Sequence, residues 1–314
     1  MYLVCGEALF DFFSENDPSG LASKVNFKAI AGGSPFNVAV GLRRLGVDAA
    51  LFAGLSTDHL GRRLLQVLQD EGVRTDYLLE VAAPTTLAMV AVGANGSPQY
   101  SFRGEGCADR QLTLEHLPTL GPQVRGLHIG SYSLVVQPIA DTLLALVRRE
   151  SGQRLISLDP NVRLNPQPDI ELWRSRIATL VEHADLIKVS DEDLSLLYPG
   201  QDPARVIGGW LEQRCQLVLL TRGGEGATVF SRAHGSWSVP ACAVQIADTV
   251  GAGDTFQAAL IAWLTEQQMD SVEGLQRLER EQIDAMVRFA VRAAALTCGK
   301  TGPDLPYRQQ LNLR

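Results

Sequence analysis

The sequence lacks the features that mark nucleic-acid, membrane and transition-metal binding. Its net charge is −7 and its lysines and arginines do not cluster, which argues against nucleic acid or an anionic membrane as a partner. No apolar run approaches the ~20 residues of a membrane span, and "MYLVCGEALF" lacks the basic segment and cleavage site of a signal peptide. The five cysteines and five histidines form no CxxC, HxxxH or HExxH pair. We therefore expect reduced thiols, a cytoplasmic location and no protein-built transition-metal site.

The order of the apolar segments predicts an α/β fold. Several strand candidates are apolar throughout, as expected for strands that helices cover on both faces. These candidates begin at Tyr2, Ala50, Gly126, Leu155, Leu186 and Leu217. Helical patterns lie between them: one is predicted to have Ser34 as its N-cap and to end at Gly46, and another to stop at Gly72. We expect a single domain over residues 1–314, with a doubly wound, mainly parallel sheet flanked by helices.

Two stretches, about 11–30 and 84–106, do not follow this alternation. In the second, "TTLAMVAVGANGSPQYSFR" predicts two strands around a turn, with Tyr100 and Phe102 spaced as on a half-buried antiparallel strand. The first is extended and is interrupted by Pro18 and Gly20. We expect the two stretches to form a small β-sheet that acts as a lid over a cleft or as the contact of a homodimer.

The segment "DTVGAGDTFQAAL", beginning at Asp248, places three small residues before an apolar helix. Gly251, Ala252 and Gly253 allow several N–H groups to converge at the positive end of the helix dipole, which suits an anion. The dipole also favours the charged form of the next residue, Asp254, which predicts a weak base. Phosphoryl transfer tolerates a weak base because its loose transition state mainly needs alignment and charge neutralisation. By pattern alone, Asp254 can also be a helix N-cap, which is the less favoured alternative.

Two other glycine-containing motifs do not satisfy the patterns they suggest. "GKT" at 299–301 would need Gly at position 294 to complete a P-loop, where this chain has Ala294, and it follows a helical pattern rather than a strand. "AGGSPFNVAVG" has Pro35 where a dinucleotide fingerprint has its third glycine. These departures argue against a P-loop enzyme and against a dehydrogenase.

Over nearly its whole length the sequence resembles the ribokinase-like (PfkB-type) carbohydrate kinases, and within them the bacterial fructokinases. "AGGSPFNVA" and "DTVGAGDTFQAAL" are similar to two family signatures, and "GEALFDFF", "YSFRGEGCADRQL", "DPNVR" and "KVSDEDL" resemble the fructokinases. The resemblance implies transfer of the γ-phosphoryl of ATP, with Mg²⁺, to O6 of D-fructose, with Asp254 as the base. The same chemistry on 2-keto-3-deoxygluconate, ribose or a nucleoside is the nearest alternative, and a non-catalytic sugar sensor is an alternative of another class.

The resemblance also implies a set of sugar-binding residues. Asp11 can accept two hydrogen bonds from sugar hydroxyls, Gly32 and Gly33 allow close backbone approach, and Asn37 offers both a donor and an acceptor. Arg103, at the end of the second lid strand, can reach sugar or phosphate. The pattern alone also allows a solvated acid at 11, a solvated amide at 37 and a surface ion pair at 103. Because Arg103 is the one evident cation near the sugar, the sequence favours a neutral acceptor over a sugar acid.

The resemblance places ATP at the ends of later strands. Arg163 has the planar fork that suits phosphate, and we expect it to contact the nucleotide phosphates or the transferred group. The other expected ATP-binding residues are Lys188, Ser190, Thr221, Gly223 and Gly226, although a tight hairpin turn explains the two glycines equally well.

The resemblance further implies two cation sites. Relatives commonly have Asn and Glu where this chain has Ser190 and Asp193. An acceptor and an acid remain, so a water-mediated contact of Asp193 with Mg²⁺ is expected. A monovalent cation such as K⁺ is expected near Asp248 and the "CGKTG" loop, where backbone carbonyls would supply most of the ligands.

Overall fold

The computed structural model describes residues 1–15, 23–92 and 98–311, which form two sheets and nine α-helices. In chain order the strands are β1 (Tyr2–Cys5), β2 (Leu9–Glu15), β3 (Asn26–Gly32), β4 (Ala49–Ser56), β5 (Leu78–Val81), β6 (Leu87–Val92), β7 (Pro98–Arg103), β8 (Gly126–Gly130), β9 (Leu155–Asp159), β10 (Leu186–Ser190), β11 (Leu217–Thr221), β12 (Ala227–Ser231) and β13 (Gly235–Val239). The helices are α1 (Ser34–Arg44), α2 (His59–Asp70), α3 (Ile139–Glu150), α4 (Ile170–Val181), α5 (Asp191–Leu197), α6 (Pro203–Leu211), α7 (Ala252–Glu266), α8 (Val272–Arg277) and α9 (Arg280–Cys298).

The larger sheet has nine strands in the order β13-β12-β11-β10-β9-β8-β1-β4-β5. Neighbouring strands in this sheet pair in parallel, except β11–β12 and β12–β13, which are antiparallel. The predicted mainly parallel sheet and all six predicted strands are therefore confirmed. Strand β4 lies on one side of β1 in the sheet, and β8, which follows later in the chain, lies on its other side. This reversal beside β1 is a topological switch point, and ligands of open α/β sheets bind outside the carboxyl ends of the strands at such a point.

Helices cover both faces of this sheet. Helices α1, α7 and α9 pack on one face around residues such as Val4, Leu260 and Val287, while α3, α4 and α6 pack on the other around Leu143 and Trp173. The inner strands β1, β8 and β9 are buried along their whole length. Burial on both faces explains why these strands are continuous apolar runs rather than alternating ones.

The smaller sheet has the strand order β3-β2-β6-β7. Its strands come from the two stretches, about 11–30 and 84–106, that do not follow the alternation of strands and helices. Strands β6 and β7 pair in an antiparallel manner, as predicted, and β2 pairs with β3 on one side and β6 on the other. Residues 16–22, with the predicted breaks at Pro18 and Gly20, and most of the predicted turn, residues 93–97, lie outside the described residues. So does the side chain of Tyr100, which limits the predicted alternation to Phe102.

The two predicted helix ends are confirmed, but one predicted start is wrong. Helices α1 and α2 end just before Gly46 and Gly72, whose φ angles are +88° and +71°. The N-cap of α1 is Gly33 rather than Ser34, and no side chain caps this end. Ser34 is instead the first helical residue, because its hydroxyl has a partner on another helix, described below. All five cysteines are free, and none of the helices in the described residues is long and apolar enough to cross a membrane.

Candidate active site

The first turns of α1 and α7 meet beside the switch point, and Asp254 lies between them. Asp254 is the third residue of α7, whose N-cap is Gly251 in a left-handed conformation (φ +79°). Its carboxylate accepts hydrogen bonds from Ser34 Oγ at 2.7 Å and from Asn37 Nδ2 at 2.8 Å. Asp254 is therefore not the helix cap that the pattern alone allowed, and its carboxylate is oriented by residues from the other signature.

The expected preference of Asp254 for its charged form is wrong for the protein without substrate. Burial raises the pKa of Asp254 above its usual range, and it outweighs the hydrogen bonds from Ser34 and Asn37 and the charges of Lys188 and Arg163, all of which lower that pKa. The side chain is only 8% exposed, so desolvation of the carboxylate dominates the helix dipole. A raised pKa makes Asp254 a stronger base than the sequence predicts.

The N-terminus of α7 presents free backbone donors. In the described part of the chain, the N–H groups of Gly253 and Asp254 have no hydrogen-bond acceptor, whereas that of Ala252 donates to Thr249 O at 3.2 Å. A Cβ on Gly251 would lie 2.8 Å from Pro303 Cβ, so only glycine fits the turn. The convergence of free N–H groups at a helix N-terminus suits an anion.

Lys188 adds a buried positive charge beside these donors. Its Nζ lies 3.1 Å from where a Cβ on Gly253 would be, and it forms an ion pair with Asp159 Oδ2 at 2.7 Å. Burial alone would lower the pKa of Lys188, but the charges of Asp159 and Asp193 outweigh it and raise that pKa, so the ammonium stays charged. Asp159, to which the sequence assigned no role, is 1% exposed, and none of the described residues forms a hydrogen bond with its Oδ1.

Asp11, on strand β2 of the smaller sheet, lies near Asp254 and Arg163. A Cβ on Gly32 would overlap the end of the Asp11 side chain, so glycine at this position leaves room for the Asp11 carboxylate. Burial raises the pKa of Asp11 to about 6, the charge of Asp254 adds to this rise, and the charge of Arg163 opposes it. Asp11, Asp254 and Arg163 therefore share one electrostatic environment. Arg163 is itself exposed, and its Nη1 donates to Val162 O at 2.9 Å.

Glu7, to which the sequence assigned no role, is a buried acid beside Gly33. Glu7 follows β1 and is 1% exposed, and it accepts a hydrogen bond from Ser133 Oγ. Burial raises the pKa of Glu7 to about 7 against the effect of the hydrogen bonds. Gly33 lies directly over it, with φ +105° and its missing Cβ only 2.8 Å from Glu7 O. The one sequence signal was the position of Glu7 after a buried strand.

Arg103 lies at the margin of the site. It ends β7 opposite Leu87 of β6, is exposed, and forms no ion pair with any described residue. The surface ion pair that the pattern alone allowed is therefore absent from the described part of the chain.

Ser190 and Asp193 form a local structure at the start of α5. Ser190 Oγ accepts from Asp193 N at 3.0 Å, and the Asp193 carboxylate accepts from Ser190 N at 3.4 Å, which together make a capping box. Asp193 Oδ1 also accepts from Val162 N at 2.8 Å. Both carboxylate oxygens of Asp193 thus orient backbone, and they keep capacity for further contacts only through their second lone pairs.

Thr221, Gly223 and Gly226 lie at the connection of β11 to β12. Thr221 Oγ1 donates to Val189 O at 3.4 Å, and Arg222 N donates to Gly226 O at 2.8 Å. Both glycines have positive φ, and a Cβ on Gly226 would overlap Val239 O whereas one on Gly223 would meet nothing within 4 Å. The tight turn therefore explains why residue 226 is a glycine. At position 223 the turn leaves room for a Cβ, so packing does not explain that glycine.

Asp248 joins the two loops expected to hold a monovalent cation. Its Oδ2 accepts from Gly302 N at 2.9 Å and its Oδ1 from Val250 N at 3.1 Å. Cys298 O accepts from the N–H groups of Ala247 and Asp248. The structure thus brings Asp248 and the "CGKTG" loop together.

Comparison with known proteins gives one consistent family. The family model described as pfkB family carbohydrate kinase matches residues 2–310. A fructokinase of Rhizobium leguminosarum bv. trifolii is 36% identical over 309 residues, which cover 98% of this chain and 88% of the relative. Probable fructokinase-6, chloroplastic, of Arabidopsis thaliana is 32% identical, with 99% of this chain and 81% of the relative covered.

Solved structures agree with the sequence comparisons. The crystal structure of fructokinase with bound ATP from Xylella fastidiosa has a TM-score of 0.89 and 29% identity, and the match covers 98% of this chain and 96% of that one. A double-mutant fructokinase from Vibrio cholerae O395 in fructose-, ADP- and potassium-bound form has a TM-score of 0.84 and 25% identity, with coverage of 99% and 96%.

Proposed function

This chain belongs to the pfkB family of carbohydrate kinases and is an ATP-dependent sugar kinase; on that premise we propose that it phosphorylates D-fructose at O6. The observation that carries the proposal is the buried Asp254 carboxylate, held by Ser34 and Asn37 at the N-terminus of α7 and facing the lid residue Asp11. The fructokinases among the similar proteins favour fructose over ribose, a nucleoside or 2-keto-3-deoxygluconate. The family match also argues against a non-catalytic sensor.

The proposed reaction exchanges one P–O bond for another at the γ-phosphorus and moves one proton from the sugar to Asp254. The O6 hydroxyl of the sugar loses its proton to Asp254 as its oxygen bonds to the γ-phosphorus of ATP, and the bond from that phosphorus to the β,γ-bridging oxygen breaks to release ADP. Asp254 acts in its ionised form, and the nearby charges of Lys188 and Arg163 favour that form. Charge on the transferred phosphoryl oxygens is met by the backbone of Gly251–Gly253, where the N–H group of Gly253 has no acceptor among the described residues, with Lys188 and Arg163 nearby.

The sugar and the nucleotide approach this centre from opposite sides. We assign the sugar hydroxyls to Asp11, Asn37 and Arg103, with the backbone of Gly32 and Gly33 below them. The ATP phosphates and ribose are assigned to the strand ends at Lys188, Ser190, Thr221, Gly223 and Gly226. In this proposal residues 1–314 form one domain, and the small sheet closes over the sugar as a lid and excludes water, which limits ATP hydrolysis.

The acidic residues near Lys188 fit a divalent cation. Asp159 has a buried carboxylate oxygen without a partner, and a carboxylate oxygen is a ligand that Mg²⁺ accepts. Asp159 and, through water, Asp193 would hold Mg²⁺, which when bound with ATP neutralises charge on the phosphates. For a monovalent cation such as K⁺, the loops joined by Asp248 offer backbone carbonyls.

We further propose a cytoplasmic location and a homodimer formed through the lid sheet. Phe12, Ala29 and Met89 lie in one row across that sheet, on the face opposite Asp11, and all are at least partly exposed. This apolar row supports pairing with a second copy. Sedimentation equilibrium of the wild type and of Ala29→Arg tests it, since a charge on this exposed position should dissociate the dimer without unfolding the sheet.

The decisive experiment measures ADP release with Mg²⁺ and ATP on fructose, 2-keto-3-deoxygluconate, ribose and adenosine. We expect turnover to be highest on fructose and Asp254→Asn to lower kcat by about 10³-fold or more, as loss of an essential base does. The position of the product phosphate is read from the phosphorus–proton couplings of the product. Strong turnover on another acceptor contradicts the choice of sugar, and an active Asp254→Asn contradicts the assigned base.

A further inference from the structure

Arg110 presents an unpaired guanidinium next to the lid. It ends a short 3₁₀ turn, Ala108–Arg110, and its guanidinium carbon lies 5.7 Å from the ring centroid of Phe102 and 5.8 Å from that of Tyr132. Among the described residues the guanidinium has no hydrogen-bond or ion-pair partner, and its Nε is fully buried. A buried donor without an acceptor is costly, so the guanidinium has hydrogen-bonding capacity that the described residues leave unused.

The turn that carries Arg110 is firmly held, and its neighbouring acid is already occupied. Ala108 N donates to Pro84 O at 2.9 Å. The two carboxylate oxygens of Asp109 accept from Thr86 Oγ1 and from Tyr132 Oη, the latter at 2.8 Å. Asp109 therefore serves the packing of the turn against Tyr132 and does not neutralise Arg110 by a direct contact.

The guanidinium faces the acceptor side of the proposed active site. Phe102, Ala88 and Asp11 are register partners in β7, β6 and β2, so their side chains lie on one face of the lid sheet. Asp11 shares its electrostatic environment with Asp254 and Arg163, which identifies this face as the one turned to the site. Phe102 is two strand spacings, roughly 10 Å, from Asp11. Arg110, stacked on Phe102, thus lies across the acceptor side from Asp11, at a separation that a hexose can bridge.

The residues around Tyr132 also place Arg110 near the assigned sugar site. Tyr132 belongs to the turn after β8 that also carries Ser133, whose hydroxyl donates to Glu7, and Gly33 lies directly over Glu7. Arg110 therefore stands above the carboxyl ends of β1 and β8, at the switch point where the sugar is assigned.

We propose that Arg110 determines acceptor specificity, donating hydrogen bonds to the oxygens at the end of the sugar remote from the transferred phosphoryl group. This role rests on the proposed function. A guanidinium has five N–H donors and no acceptor, so it recognises an oxygen-rich end such as the anomeric end of a ketohexose. Besides Arg103, which the sequence predicted to lie near the sugar, Arg110 would be a second cation near the assigned sugar site.

The test compares Arg110→Met and Arg110→Lys with Arg63→Met, a control at an exposed arginine of α2. Methionine keeps the apolar packing on Phe102 and Tyr132 but removes every donor, and lysine keeps the charge without the planar fork. We expect the Tm of unliganded Arg110→Met to be unchanged or higher. The rise in Tm on adding fructose should be lost, while the rise on adding ATP remains. The KM for fructose should increase about 10–100-fold with a smaller change in kcat, as loss of charge-assisted hydrogen bonds predicts.

Arg110→Lys should lie between the wild type and Arg110→Met, and Arg63→Met should match the wild type. A native fructose-induced shift and KM in Arg110→Met would overturn the role of Arg110 and leave the proposed function standing. A wild type that gains stability from ATP but not from fructose, and does not turn fructose over, overturns the proposed function and this role with it. If Arg110→Met does not fold, Arg110→Leu provides the same comparison, because leucine also removes every donor and keeps an apolar side chain against the two rings.

Discussion

Ser34 Oγ donates a 2.7 Å hydrogen bond to Asp254 Oδ1, joining two residues that are 220 positions apart in the sequence. Each residue lies in the first turn of its helix, and each belongs to a different signature of the family. The contact couples the start of α1, beside the sugar-binding glycines, to the proposed base. It also explains why Ser34 is helical rather than a cap: its hydroxyl is already used.

Ser34→Ala should shift the pH dependence of the reaction. The hydrogen bond from Ser34 lowers the pKa of Asp254, so its loss should raise that pKa further. Because the base acts when deprotonated, activity falls as pH decreases through this pKa, and the acidic limb of kcat/KM should move to higher pH. At neutral pH we expect kcat/KM to fall about tenfold, the effect of one hydrogen bond to a charged group. Ser195→Ala, at an exposed position of α5, should leave the profile unchanged.

The ion pair between Lys188 and Asp159 should affect stability and activity differently. Lys188→Met leaves a buried carboxylate without its partner, and we expect the free energy of unfolding to fall by about 3–5 kcal/mol. Adding Asp159→Asn should restore most of this loss, since residue 159 then no longer carries a buried charge without its partner. Activity should stay low in both variants because the cation beside Gly253 is missing. Urea denaturation and initial rates measure the two effects, and equal stability of the single and double variants would contradict the assigned pairing.

Glu7 should make the protein less stable as pH rises. Its folded-state pKa of about 7 lies above the ordinary value of 4.5, so between these values the folded protein binds more protons than the unfolded chain. The free energy of unfolding should therefore decrease from about pH 4.5 to pH 7, by up to roughly 3 kcal/mol for this group. Glu7→Gln should gain stability relative to the wild type over this range. Denaturant titrations of both proteins at pH 5 and pH 8 measure it, and a difference independent of pH would refute a titrating Glu7.

Gly223 and Gly226 provide a matched pair for the turn before β12. In Gly226→Ala the new Cβ overlaps Val239 O at φ +95°, and we expect a loss of about 2–4 kcal/mol in unfolding free energy. Gly223→Ala has open space and φ +47°, so its loss should be about 1 kcal/mol. If Gly223 lines the ATP phosphates, Gly223→Ala should raise the KM for ATP and leave that for fructose unchanged. An unchanged KM for ATP in Gly223→Ala would restrict Gly223 to the turn.

Local patterns were sufficient for six of the nine strands of the larger sheet and for the ends of α1 and α2. The six predicted strands are apolar because helices bury them on both faces, and the glycines after α1 and α2 end those helices by adopting positive φ. The pairing of β6 with β7 followed from alternation around a turn. Ser34 was misassigned because its sequence context is that of a cap, and the partner that makes it helical is distant in the sequence.

The sequence by itself determined the family, the kind of sheet and the placement of Asp254 after three small residues, because each of these is encoded in short, contiguous segments. Only the tertiary structure decided how Asp254 is oriented, that Lys188 pairs with Asp159, and that Arg110 stands unpaired beside Phe102. It also reversed the expected pKa of Asp254, because burial of a carboxylate depends on every element packed around it, whereas the helix dipole depends only on its own helix.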